Sequence, residues 1–296
     1  MERTDAVSRL HPGVILLFFV CTIGGTLLLS HPLFRLLSLF GALCCHLLFC
    51  RKERGVFLLK TALPVCLLAA VLNPLFNHQG VHILFYFPWG NPCTGESLLY
   101  GVLAALLLFT VLVWFRCYTA VMTVARSLFL FSRIAPSLSL LLRLSLRMIP
   151  SMRADFARTM EAQTCLFGPP PTKKNALNRA FSAIRVQLHR ALENAVQLSN
   201  AMKSRGYGLP GRTSYALFRW HRRDSLCLLF LLACALPVLG ASLSGGLSFF
   251  VYPSPHGAAV TPLMLLCATV YFALCISPVF WQRLEVLAWK RSSSNM

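Results

Sequence analysis

From Leu98 to Phe115 the chain carries no charged side chain, and Tyr100 and Thr110 are its only polar ones. A helix of that length and character matches a bilayer core about 30 Å thick, where water cannot satisfy an open backbone. The same ruler finds five more such stretches: Val14–Leu29, Leu33–Cys50, Val56–Leu72, Leu226–Leu243 and Thr261–Phe280. Composition agrees. The 296 residues are 56% hydrophobic and 12% charged, against roughly 25% charged in a soluble domain. One soluble core of this chain length could not bury so much apolar surface. The charge that remains is lopsided, 28 Lys plus Arg against 9 Asp plus Glu, a formal +19. So high an apolar content excludes a disordered basic tail. The expected class is an all-α integral membrane protein of about six transmembrane helices with a basic, helical non-membrane part.

Positive residues mark the cytoplasmic side of a membrane protein. Arg3 and Arg9 precede the first span, Arg51, Lys52 and Arg54 follow the second, and Arg283, Lys290 and Arg291 follow the last. Neither Asn73–Ser97 nor Ser244–Val260 holds a Lys or Arg. Six spans with both termini inside satisfy this pattern. Arg35 and Lys60 are the exceptions, each near a span end from which a long side chain reaches the interface. The first span lacks a small-residue cleavage site and runs straight into the second, so it reads as a span and not as a signal peptide.

Between the fourth and fifth spans, Arg116–Arg223 concentrates 18 of the 28 positive charges with three acids, Asp155, Glu161 and Glu193. Arg126, Arg133 and Arg147 fall at multiples of seven, and Arg143 and Arg147 at i, i+4. With leucines and Phe129 between them they predict an amphipathic interfacial helix, interrupted by Pro136. Pro150 is expected to break direction. Ser151–Phe167 then reads as one helix, ended by Gly168 and three prolines, and Lys173–Ser204 as another, stopped by Gly206 and Gly208. Two helices joined by a Pro-rich turn form a hairpin. Ala176, Ala180, Ala183, Ala191, Ala195 and Ala201 keep one surface of the second small, which lets another helix approach. Few aromatics interleave with these charges, which argues against nucleic acid. Anionic lipid accounts for Arg116–Arg147, and a protein partner accounts better for the hairpin beyond it.

Twelve cysteines raise the question of disulfides or metal. Cys21, Cys44, Cys45, Cys50, Cys66, Cys227, Cys234, Cys267 and Cys275 lie in apolar runs as small hydrophobes. No C-x-x-C occurs, and Cys93 is the one cysteine placed in an external loop. His78 and His82 read as solvated loop residues, not metal ligands. No G-x-x-x-x-G-K-[ST] is present, so the chain has no cradle for ATP phosphates of its own. The spans hold no carboxylates of the kind that ion-coupled carriers use.

The stretch Ala191-Leu192-Glu193-Asn194-Ala195, followed by Ser199-Asn200-Ala201-Met202-Lys203-Ser204-Arg205-Gly206-Tyr207-Gly208, resembles the second coupling helix of the transmembrane (T) component of energy-coupling factor transporters. Asn73-Pro74-Leu75-Phe76-Asn77-His78-Gln79-Gly80 before Leu84-Phe85 resembles that family's loop after its third span. Arg212-Thr213 with Arg219, Arg223 and Asp224 resembles its approach to the next span. The resemblance runs over most of the chain from Ser8-Arg9-Leu10-His11-Pro12 onward.

It implies a non-catalytic scaffold of an uptake system for vitamins or metal ions such as cobalt. The scaffold sits in the inner (plasma) membrane of a prokaryote between two cytoplasmic ABC-type ATPases and a membrane-embedded substrate-binding (S) component. No cofactor is implied, because ATP belongs to the partner ATPases, and no nucleic acid. The implied layout is residues 1–118 with transmembrane helices one to four, 119–223 with coupling helices at 151–168 and 174–207, and 224–296 with the last two helices and a cytoplasmic C-terminus. The ATPase-docking residues would be Arg205 with Ser204, Gly206, Ala201 and Lys203. At the first coupling-helix end, Ala162, Gln163 and Gly168 stand where many relatives carry an arginine. Shape, helix-end polarity or Arg158 is left to make that contact.

Arg205 has chemistry of its own. A guanidinium is permanently charged and offers five donors in a planar fork suited to carboxylates and carbonyls. It can serve a partner groove, or simply complement its own helix end, worth about 0.3–1 kcal/mol. A different class also fits the composition: a membrane enzyme or anchoring protein whose basic loop recruits anionic lipid.

Overall fold

The computed structural model describes residues 10–49, 60, 62–77, 80–86, 92–170, 172–210, 218–245, 247, 249–250, 256–257 and 261–294. The basic residues Arg3, Arg9, Arg51, Lys52 and Arg54, together with Cys50, His78 and Arg212-Thr213, lie outside them, as do the side chains of Arg133, Cys93, Lys290 and Arg291. Nine helices appear among the described residues: α1 (Pro12–Leu28), α2 (Pro32–Phe49), α3 (Leu63–Phe76), α4 (Gly95–Val121), α5 (Val124–Ile134), α6 (Pro136–Phe167), α7 (Lys173–Ser204), α8 (Arg222–Leu243) and α9 (Pro262–Ser294). Four are long and apolar enough to cross a membrane: α2, α4, α8 and the Pro262–Arg283 part of α9; α1 and α3 are apolar but shorter. Two small antiparallel ladders lie between helices. One pairs β1 (Ile83–Tyr86) with β2 (Pro92–Thr94), the other β3 (Phe249–Phe250) with β4 (His256–Gly257).

The chain divides into two compact units, 1–127 with 218–296, and 128–217. The first holds all six apolar helices. At its centre α1, α2, α4 and α9 meet around polar groups that hydrogen-bond one another. Trp114 of α4, fully buried, donates its indole N–H to the Ser38 hydroxyl of α2 at 3.0 Å. The Tyr271 hydroxyl of α9 hydrogen-bonds the Thr22 carbonyl of α1 at 3.1 Å and Ser38 at 3.3 Å. A carbonyl only accepts, so the Tyr271 proton goes there and Ser38 donates the second bond. Phe18 and Phe19 meet the Trp114 ring edge to face, and Phe34 meets Tyr271 likewise. Glycines permit the tight crossings: a Cβ on Gly25 would sit 2.6 Å from the Tyr271 ring, and one on Gly41 2.6 Å from the Cys275 Cβ. Arg35 sends its guanidinium to the Leu103 carbonyl of α4 at 3.0 Å, where the sequence pattern suggested a side chain reaching for the interface.

The expected third span, Val56–Leu72, shifts. The described helix α3 runs four residues past Leu72 and takes in Asn73-Pro74, which the sequence reading assigned to a loop. Pro74 has no N–H for the Ala70 carbonyl, yet it is buried, and burial against α4 carries the helix through it. Gly101 makes that contact possible, since its Cβ would lie 2.7 Å from the Ala70 carbonyl oxygen. Two buried carboxylates sit at helix starts. Glu96 opens α4 and accepts from the His82 backbone N–H at 3.2 Å, tying the β1 approach to the helix. Asp224 opens α8, accepting from the backbone N–H of His221 at 2.9 Å and of His11 at 3.0 Å, so one side chain holds the starts of α8 and α1.

In the second unit, the step from α5 to α6 falls at Ala135, with Pro136 as the first residue of α6, and the Ser139 hydroxyl donates to the Leu128 carbonyl across the elbow at 3.1 Å. Pro150 does not break direction. It lies inside a continuous α6. A proline removes one rung of the ladder but keeps a helical φ, and long helical flanks on both sides carry the chain across. Cys165, near the end of α6, is a free and exposed thiol.

Ser38→Ala leaves the buried Trp114 N–H without its acceptor and is expected to lower stability by about 1–3 kcal/mol. Gly101→Ala forces two helix backbones apart and is expected to cost a similar amount, about 1–3 kcal/mol. Thermal unfolding of the detergent-solubilised full chain checks both.

Candidate docking site at the ends of a helical hairpin

The helices α6 and α7 form an antiparallel pair. Along α6 the less exposed positions are Met152, Asp155, Phe156, Thr159, Met160 and Gln163; along α7 they are Ala176, Arg179, Ala180, Ala183, Gln187 and Ala191. Both sets step by three and four, the spacing of one helix face. Ala183 is fully buried at the crossing, and Gln187 donates to the Met152 carbonyl at 3.2 Å. Four of the six alanines thus line the seam; Ala195 and Ala201 are exposed.

Beyond Ala191 the seam ends. From Leu192 to Ala201 every residue of α7 is exposed. The helix closes in a two-bond glycine cap: the Gly206 N–H donates to the Lys203 carbonyl at 3.0 Å and the Tyr207 N–H to the Met202 carbonyl at 3.0 Å. Gly206 takes φ +80, a left-handed value that favours glycine. Arg205 is the last residue before that turn and is exposed. Lys203 and Ser204 flank it, also exposed, and the Ser204 hydroxyl is spent on the Ala201 carbonyl at 3.0 Å. The structure therefore brings Ala201, Lys203, Ser204, Arg205 and Gly206 together at one helix end, with exposed Tyr207 and Leu209 just past it.

The first end is built differently. Arg158 pairs with Asp155 at 3.6 Å, well before the end of α6, and Ala162 is exposed. Gln163 faces α7 at an intermediate level of burial. Gly168 ends α6 at φ +67. The cation near this end comes from the other helix. Arg179 donates to the Gly168 carbonyl at 2.5 Å and the Phe167 carbonyl at 3.3 Å, and its guanidinium lies 5.9 Å from the Phe167 ring centre. Leu166 and Phe167 are 77% and 72% exposed there. A single sequence window around Gly168 could not place Arg179 beside it, because the contact crosses the turn.

A second feature escaped the sequence reading. Leu177, Phe181, Ile184, Leu188, Leu192 and Val196 are each at least half exposed, and their spacing of four, three, four, four and four draws one apolar stripe along α7. The periodicity was present in the sequence, though the alanines on the opposite face draw the eye first. No described His, Cys, Asp or Glu group is arranged to hold a metal ion.

A bundle of apolar helices carrying a basic, two-helix hairpin is the build of a multi-pass helical membrane protein with a docking appendage. No family model matches the chain. Three curated proteins do, each called energy-coupling factor transporter transmembrane protein EcfT. That of Streptococcus thermophilus is 33% identical over 121 residues, 40% of this chain and 46% of its own length. That of Lactococcus lactis subsp. cremoris is 38% identical over 93 residues, and that of Lactobacillus helveticus 34% over 98, each covering 35% of the relative. The matched part spans less than half the length of these relatives. Over these stretches the chain is similar to the transmembrane proteins of energy-coupling factor transporters.

Gly206→Ala keeps Arg205 but strains the left-handed turn by about 1–2 kcal/mol. Amide exchange at Tyr207 is expected to quicken about 5- to 30-fold, with the thermal unfolding midpoint unchanged, as hydrogen-exchange mass spectrometry can measure.

Proposed function

We propose that the chain is the transmembrane scaffold of an energy-coupling factor uptake transporter. It binds two cytoplasmic ABC-type ATPases and a membrane-embedded substrate-binding component, in the plasma membrane of a prokaryote with both termini cytoplasmic. It catalyses nothing itself. ATP binding and hydrolysis in the ATPases move α6 and α7, and the hairpin passes that motion to the substrate-binding component, which reorients to deliver a vitamin or a metal ion.

The observation that carries this reading is the bare end of α7, exposed on all sides from Leu192 and finished by a glycine cap that presents Arg205. A guanidinium that only complemented its own helix would not need turns of unsupported helix beneath it. Such a projection suits insertion into a groove, where the planar fork meets carboxylates or carbonyls. At the first end we assign the contact to exposed Leu166 and Phe167, propped by Arg179, and not to Arg158, whose partner is Asp155. The apolar stripe on α7 offers a face for the substrate-binding component, because lateral apolar contact transmits a push without requiring a fixed ion pair. The absence of a phosphate-binding loop agrees with ATP being held elsewhere.

Co-expression with the two ATPases and the substrate-binding component tests the assignment. Arg205→Glu is expected to cut ATPase co-purification and uptake at least tenfold, while Arg158→Ala leaves both within about twofold, as for a solvent-exposed ion pair. Full co-purification and uptake with Arg205→Glu would refute the docking role.

A further inference from the structure

Near the end of the first unit where α1 and α8 begin, a shallow apolar cleft of about 30 Å³ lies between α1, α8 and α9. Val14 and Phe18 line it from α1, Phe230 and Leu231 from α8, and Pro278 and Trp281 from α9. Pro278 has no N–H for the Leu274 carbonyl, and the Ser277 hydroxyl, the one polar side chain on the lining apart from thiol and indole groups, donates to that carbonyl at 2.8 Å. The cleft thus offers water almost no partners, and a site of that kind stays dry or takes an apolar guest. It lies among membrane-crossing helices, so the apolar guest at hand is an acyl chain.

The rim is of the opposite character. His11 and Asp224 join the starts of α1 and α8 at this end. Arg219 and Arg222 are exposed there, and Arg283 is exposed on α9, two residues beyond Trp281. Asp224, the acid beside Arg222, is turned inward and engaged by the backbone N–H groups of His11 and His221. Trp220, half exposed and tilted against the His11 ring at 4.9 Å, lies next to Arg219 in the chain, and Trp281 lines the cleft two residues before Arg283. Tryptophans are enriched at the membrane–water interface.

We propose that this cleft marks a binding site for one anionic phospholipid, its acyl chain lying along the groove of α1, α8 and α9 and its headgroup phosphate against Arg222 and Arg283. A dry apolar groove and a cationic rim match the two halves of such a lipid, and a zwitterionic lipid satisfies only the first. The site is independent of the transport role.

The test uses the full chain in detergent with equimolar phosphatidylglycerol and phosphatidylcholine, read by native mass spectrometry. One phosphatidylglycerol should be retained preferentially, and removing each arginine should lower the preference about fivefold, from the charge contribution near a membrane surface. The double variant R222Q/R283Q should approach equal retention, whereas R185Q/R190Q on α7, with the same loss of charge, should keep the native preference. Val14→Phe, which fills the cleft, should lose the retained lipid. The arginine variants are on the surface and decide the matter even if Val14→Phe does not fold. Equal retention of the two lipids by the native chain, an equal loss in R185Q/R190Q, or undiminished retention by a folded Val14→Phe variant overturns the site.

Discussion

A hydrogen-bonding group inside a bilayer has no water to fall back on, and the first unit is arranged around that condition. Thr22, Ser38, Trp114 and Tyr271 come from four helices and satisfy one another. The pattern admits few alternatives: slide one helix by a residue and an indole N–H or a phenol is stranded in hydrocarbon. The glycines at 25 and 41 follow from it, because the polar side chains are short and helices must come close to use them. Apolar packing alone gives little directional preference where lipid tails are as greasy as leucine. The polar knot supplies that direction.

The second unit is built on the reverse plan. Its seam sets four alanines of α7 against α6, its links are a glutamine and an arginine to backbone carbonyls, and much of its apolar surface lies outside. Two helices so lightly joined form an appendage completed by something else.

What could be read from the residues was whatever a single segment decides. The apolar runs, the elbow at Pro136 and the stop at Gly206 are local matters: hydrocarbon thickness, a missing N–H, a positive φ. What could not be read depended on contacts between segments. Pro150 and Pro74 look like breaks in isolation, and each lies within a helix that long flanks or burial against a neighbour carries through. Asp224 and Glu96 stand near span ends in the sequence, and each is buried because another segment brings an N–H group to the carboxylate. Arg205 was visible from its surroundings, with the glycine cap written beside it. Arg179 was not, since its contact crosses a Pro-rich turn to the carbonyls of the preceding helix.

The uncovered flank of α7 also bears on how a cell keeps this protein. A lone copy displays a row of leucines, a phenylalanine and an isoleucine, which is what chaperones and quality-control proteases engage. Survival of the chain is therefore tied to the supply of whatever covers that flank.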